Sequence, residues 1–235
     1  MDYSVPPRYR IGPLCRRRSP RRKTTQRTGT SSVKKFLFID TETNGLHADY
    51  TKPGTDTDNW PRCIQLAYAL TTAESPKDSL KCGDWVIKPD GWTIPPKITN
   101  LTGISMERAE TEGVPIAYAL DTFAYVYSQA DYIVAHNLEF DWPVLTAEYT
   151  RLGLEVPTGA IEICTMKAPE VINFCAIPAG SAQRYRGQKY KWPRLQELHK
   201  KLFDHEFEGA HDAMRDMASL TYCFFELVEM GVLAI

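Results

Sequence analysis

Asp40 and Glu42 stand two positions apart at the end of the apolar run Phe36-Leu37-Phe38-Ile39, which reads as a central buried strand. Alternation along a strand sends both carboxylates to the same face. Two acids that close repel unless a proton or a cation lies between them, and oxygen-only donors of this kind suit magnesium or manganese. Alone, the pair reads equally well as a chance acidic pair in a polar strand-to-loop turn.

Two further stretches offer the same chemistry. In Ile133-Val134-Ala135-His136-Asn137-Leu138-Glu139-Phe140-Asp141 a buried strand runs into a helix, with Asp141 in its first turn, a place where an acid also suits the helix dipole. His211-Asp212-Ala213-Met214-Arg215-Asp216 opens the last helix. Five positions at roughly 100° each put His211 and Asp216 about 140° apart on an ideal helix, so they can serve one site only if His211 lies in the loop before it. A histidine on such a loop, beside a metal-bound water, is placed to take a proton.

The elements that must position these residues begin at Lys35. After the Phe36–Ile39 strand come strand signals at about 63–71 and 84–88, a meander of three. Helical apolar spacing over 114–130, a short strand at 131–135 and a helix over 138–152 then turn the order into strand–helix alternation. A strand at 160–165, a helix over 193–203 and a closing helix over 211–231, with Met214, Met217, Leu220, Phe224, Leu227 and Val228 on its apolar face, complete the chain. An α/β fold with a mixed sheet flanked by helices is the economical packing. The segment 47–62, rich in acids and turn formers, reads as a surface loop near the rim of the site.

The chain has 235 residues, 43% hydrophobic and 24% charged, which suits one catalytic-size domain with a packed core and excludes a coiled coil. No apolar run approaches the roughly 18 residues that span a bilayer, and no export signal stands at the start. An intracellular protein with no membrane partner is expected, cytoplasmic if bacterial. Cys15, Cys63, Cys82, Cys164, Cys175 and Cys223 show no zinc-like pairing, and reduced thiols are expected.

Net charge is −1, but of the 28 bases and 29 acids the first 35 residues hold 11 and one, leaving 17 bases against 28 acids and a net −11 in the rest. A body that acidic suits a polyanion-handling protein only if bound metal consumes part of the charge. Residues 1–33 read as a disordered basic tail preceding a domain over 34–235. The tail fits a nucleic-acid tether, an organelle-targeting arm or a solvated extension without a role.

Taken together, a strand bearing Asp-x-Glu, a strand-to-helix Asp and a His followed five later by Asp resemble the DnaQ-like DEDDh 3′–5′ exonucleases, over about residues 34–230. The Tyr-bearing subclass would have tyrosine where this chain has Asp212, so the His subclass is indicated. The resemblance implies a ribonuclease-H-like fold with a five-stranded mixed sheet and two Mg2+ or Mn2+ ions. Asp40 would bridge the two ions, Glu42 and Asp216 would complete one, and Asp141 would help hold the other. His211 would be the general base for the attacking water.

It further implies single-stranded DNA 3′ ends as substrate, with a polymerase or other replication or repair protein as a partner. An exoribonuclease and a catalytically inert nucleic-acid adaptor are the alternatives. Candidate substrate contacts are Thr41, Thr43, Leu46, Gly103, Ile104, His136, Asn137 and Phe140. Of these, Leu46 and Ile104 read also as plain core, His136 as a packed histidine and Asn137 as a helix cap. Between 176 and 194, Arg184, Arg186, Lys189 and Lys191 alternate with Tyr185, Tyr190 and Trp192. Bases that track phosphate and rings that stack on unpaired nucleobases make this a candidate strand-guiding loop, with a solvated loop over a packed Trp192 as the plain alternative.

Overall fold

The structure is a computed structural model that describes residues 33–75, 78–181, 187 and 189–235. The basic tail up to residue 32, and the candidates Arg184, Tyr185 and Arg186, lie outside the described residues. Five strands, β1 (Lys35–Thr43), β2 (Cys63–Thr72), β3 (Lys81–Val86), β4 (Tyr132–Ala135) and β5 (Ile161–Cys164), form one sheet in the order β3-β2-β1-β4-β5. β1 is antiparallel to β2 and parallel to β4. The expected mixed five-stranded sheet is therefore present, with the meander on one side and the β4–β5 crossover unit on the other.

The helices among the described residues are α1 (Pro96–Thr102), α2 (Met106–Glu112), α3 (Ile116–Tyr127), α4 (Leu138–Arg151), α5 (Pro169–Cys175), α6 (Leu195–Phe203) and α7 (Ala213–Glu229). Among the described residues none is long and apolar enough to cross a membrane. The longer helices stand where their apolar spacing puts them. α1, α2 and α5 were not expected, and β3 starts three residues before its expected position.

β1 has two faces with different partners. Its odd positions, Leu37 and Ile39, pack into a core with Leu120 and Phe123 of α3 and Val144 and Leu145 of α4. Its even positions, Phe36 and Phe38, pack with Ala67 and Ala69 of β2 under Ala213, Met217, Leu220 and Phe224 of α7. The rings of Phe36 and Phe38 lie 5.4 and 5.3 Å from that of Phe224, and burying each Phe contributes about 1.5–3 kcal/mol. Asp40 and Glu42 continue the even row, so the register that seats the two phenylalanines under α7 also aims the carboxylates along its N-terminus.

Cys63, Cys164, Cys175 and Cys223 are free thiols.

Candidate active site

Asp40 and Glu42 leave β1 half-buried, between the first turn of α4 and the start of α7. Asp141 sits in α4's first turn, 4% exposed. Its Oδ1 accepts from both the backbone N–H and the hydroxyl of Thr41, at 3.0 and 2.7 Å. Asn137 is the N-cap of α4 but makes no side-chain capping bond, and an acid in the first turn suits the helix dipole.

α7 begins at Ala213, which leaves His211 in the preceding loop as the helix geometry requires. The His211 backbone takes the left-handed conformation, φ 68°, uncommon for a side-chain-bearing residue. Its N–H donates to Asp216 Oδ2 at 2.9 Å, locking the loop onto the acid one turn into the helix. Asp212 caps α7 by accepting from Arg215 N–H at 3.1 Å. Each of Glu42, His211 and Asp216 offers a donor atom, and these atoms lie within 4.8 Å of one another.

The acids feel one another strongly. Burial, followed by repulsion from Asp141, Asp216 and Glu42, raises Asp40 well above the usual carboxylate range. Burial and the neighbouring acids push Glu42 up to about 8. Burial carries Asp141 to about 7 against the two Thr41 hydrogen bonds, and Asp216 to about 6 against the donation from His211. Buried carboxylates that disfavour one another's charged forms in this way are what a divalent cation would relieve. Hard oxygen donors with one imidazole fit magnesium or manganese.

The structure treats the candidate substrate contacts unequally. Leu46 is 82% exposed at the rim. Ile104 is 1% exposed and packs with Ile64, Ile94 and Ala109, so its plain-core reading stands. The adjoining Gly103 is the left-handed C-cap of α1, φ 72°. Thr41 spends both donors on Asp141, and the Thr43 hydroxyl donates to Gly45 O at 2.7 Å.

His136 also belongs to the packing. Its Nε2 donates to Pro193 O and its Nδ1 meets the Thr165 hydroxyl, both at 2.9 Å. Burial lowers it to about 4, which keeps it neutral. Asn137 Nδ2 donates to the Tyr50 hydroxyl at 3.3 Å, while its Oδ1 has no partner. Phe140 packs against the rings of His47 and Trp60 and seats the 44–62 loop on α4.

In the proposed strand-guiding loop, Lys191 is tied to Glu197 at 2.7 and 2.6 Å, and Lys189 lies over the Tyr190 ring. Trp192 is 46% exposed. Lys167, which the sequence reading missed, has its ammonium 4.5 Å from the Trp192 ring and 5.5 Å from that of Tyr50, and it pairs with Glu139. No motif marks it, because the three residues meet only in the fold.

A sequence model of the exonuclease family described as RNase_T matches residues 37–224. No curated protein sequence matches the chain. Among solved structures, E. coli exonuclease I in complex with a dT13 oligonucleotide is 21% identical, with a TM-score of 0.61 over 83% of this chain and 41% of that one. The zinc-bound form of E. coli exonuclease I with single-stranded DNA is 19% identical, TM-score 0.64, covering 85% and 41%. The nuclease domain of 3′hExo, a DEDDh family member bound to rAMP, is 13% identical, TM-score 0.57, covering 86% and 96%. The chain thus shares the exonuclease, ribonuclease-H-like fold, and it spans about two fifths of the length of the exonuclease I chains it matches.

Proposed function

This chain belongs to the RNase_T exonuclease family, and from that premise we propose that it hydrolyses single-stranded DNA or DNA 3′ ends, in the 3′-to-5′ direction, to nucleoside 5′-monophosphates. The observation that carries the reading is the convergence of four carboxylates and one histidine from β1, α4 and the start of α7, with the donor atoms of Glu42, His211 and Asp216 inside 4.8 Å.

Asp40, Glu42, Asp141 and Asp216 would hold two Mg2+ or Mn2+ ions. Bound there, the ions would supply Lewis-acid stabilisation of the charge that builds on phosphate during in-line displacement. His211 takes the proton from the attacking water. The bond formed joins the water oxygen to phosphorus, and the bond broken is P–O3′, which releases the terminal nucleotide and leaves a new 3′-hydroxyl. Asp216, by accepting from the His211 backbone, holds that loop at the centre.

Around the centre, the exposed Leu46 and the Tyr50–Lys167–Trp192 group form a surface of apolar and cationic character. Such a mixture suits unpaired nucleotides, whose bases stack and whose phosphates seek cations. The basic tail would add non-specific affinity for strands, or serve targeting. A polymerase or repair protein is the partner class that this activity would serve.

An RNA substrate is the second reading, favoured by the similarity to a domain bound to rAMP. The test is end-labelled DNA and RNA of one sequence, incubated with magnesium, manganese or a chelator. Stepwise shortening of DNA from its 3′ end that the chelator stops is expected. RNA shortening alone would move the substrate class, and binding without cleavage of either would leave an inert adaptor.

A further inference from the structure

We propose that Gln65 is a positioning residue for this centre, holding the first turn of α7, and hence Asp216 and His211, at a fixed distance from Glu42. This rests on the metal-centre reading above. Gln65 is 2% exposed in the otherwise apolar middle of β2, and in the β1–β2 ladder it stands directly opposite Glu42. Its Oε1 accepts from the backbone N–H of Ala213 at 3.1 Å, and its Nε2 donates to Asp84 Oδ1 on β3 at 2.8 Å.

Packing does not explain an amide there, since its neighbours Ile64 and Leu66 are fully buried hydrophobics and a buried amide is costly unless both ends are bonded. The bond to Ala213 has a definite use. Ala213 is the first residue of α7, and its N–H is one of the donors that no carbonyl within the helix can reach. Asp212 serves Arg215 N–H instead. Gln65 therefore ties the helix end to the strand beside β1, three residues before Asp216.

The tether has a load to resist. Glu42 on β1 and Asp216 on α7 present carboxylate oxygens within 4.8 Å of each other, and like charges that close push the first turn of α7 away from the strand. Anchored through Asp84 to β3, Gln65 closes a chain from Glu42 through the sheet to Ala213 and Asp216. Groups that orient ligands without touching the ion typically govern metal affinity or activity by 10- to 100-fold.

The test uses the full chain with Gln65→Met, similar in length but without the bonds, and Asp84→Ala, which keeps the bond to Ala213 but frees the other end of the amide. Three quantities are read: hydrogen exchange at the Ala213 amide in metal-free protein, Mn2+ affinity by calorimetry, and kcat against KM on a long strand. For Gln65→Met we expect faster exchange at Ala213, Mn2+ affinity about 10- to 100-fold weaker, and a fall in kcat with KM held. Asp84→Ala should show a smaller change of the same kind.

Parental Ala213 protection and Mn2+ affinity in folded Gln65→Met would overturn the proposal. So would parental values in Asp84→Ala, should Gln65→Met fail to fold. A parent protein that neither binds Mn2+ nor cleaves any strand overturns the exonuclease reading instead, and the Ala213 exchange then still decides the tether.

Discussion

Thr41 directs both its donors, backbone N–H and hydroxyl, to the same oxygen of Asp141. Oδ2 is thereby left for other work, and the charged form is favoured against burial. Thr41→Val keeps the shape and the backbone bond but removes the hydroxyl. A hydrogen bond to a charged group contributes about 1.5–3 kcal/mol, so Asp141 should hold its proton to higher pH and compete less well for cations. The alkaline-going limb of the activity–pH profile should shift upward by about one unit or more, while saturating Mn2+ restores most of the rate. An unshifted profile would separate Thr41 from the chemistry.

His211 combines a reactive side chain with a left-handed backbone. His211→Ala should retain Mn2+ binding and slow hydrolysis by about 10²–10⁴, the range for a general base. His211→Gly should be as slow yet more stable than His211→Ala, by about 1 kcal/mol, because glycine takes this φ without strain. If Mn2+ affinity collapses in both, His211 is a ligand, as its closeness to Glu42 and Asp216 also permits.

Asp40→Asn should abolish turnover, since it removes the acid on which burial and the charges of Asp141, Asp216 and Glu42 all converge. Metal-free stability should hold or rise, because Asp40 is raised by burial and by three site acids at once. Thermal unfolding with a chelator, beside an exonuclease assay, checks both halves. Normal turnover by the folded variant removes Asp40 from the mechanism.

The raised acids also predict how metal-free stability depends on pH. Glu42 at about 8, Asp141 at about 7 and Asp216 at about 6 bind protons in the folded state that the unfolded chain has released. Stability is therefore fully present below the ordinary carboxylate range near 4 and falls as pH rises through about 8. Mn2+ should cancel that fall, binding more tightly as pH rises because it displaces protons. Melting temperatures at pH 5, 6.5 and 8, with chelator and with Mn2+, test this, and Glu42→Gln should flatten the chelator series.

Glu148 of α4 is fully buried. Its Oε1 accepts from Arg62 Nε at 2.9 Å, Cys63 N–H at 3.0 Å and Arg151 Nη1 at 3.1 Å. Arg151 in turn donates to the carbonyls of Thr57 and Trp60, at 2.6 Å each. The group fastens the rim loop to the helix that bears Asp141. Removing one partner of a buried pair costs about 3–5 kcal/mol, so Glu148→Ala should lose that much in denaturant unfolding, with proteolysis newly admitted between residues 47 and 62.

What the sequence made legible follows physical range. The strand bearing Asp40 and Glu42, the α4 turn bearing Asp141 and the loop-borne His211 could be placed because alternation and helical phase act over a few residues. The sheet follows because Phe36–Ile39 is apolar on both faces. α1, α2 and α5 went unseen because seven residues make barely two turns, too few for a period to emerge, although Pro96, Pro169 and the capping Ser105 stood at their starts. Gln65 with Ala213, Glu148 with Arg62, and Lys167 with Trp192 pair residues 148, 86 and 25 positions apart. No local pattern encodes such meetings.

The two-faced order of β1 also limits how this gene can drift in length. One residue inserted between Phe36 and Glu42 would turn every later side chain to the opposite face, swapping core and reagent rows together, so the loss of activity would come with loss of the fold. Two residues inserted would restore the faces but carry the acids about 6–7 Å along the strand, beyond reach of Asp141 and Asp216, and such a chain could fold and remain inert. Length variation is tolerable only outside that stretch, and the 47–62 loop is where it would accumulate.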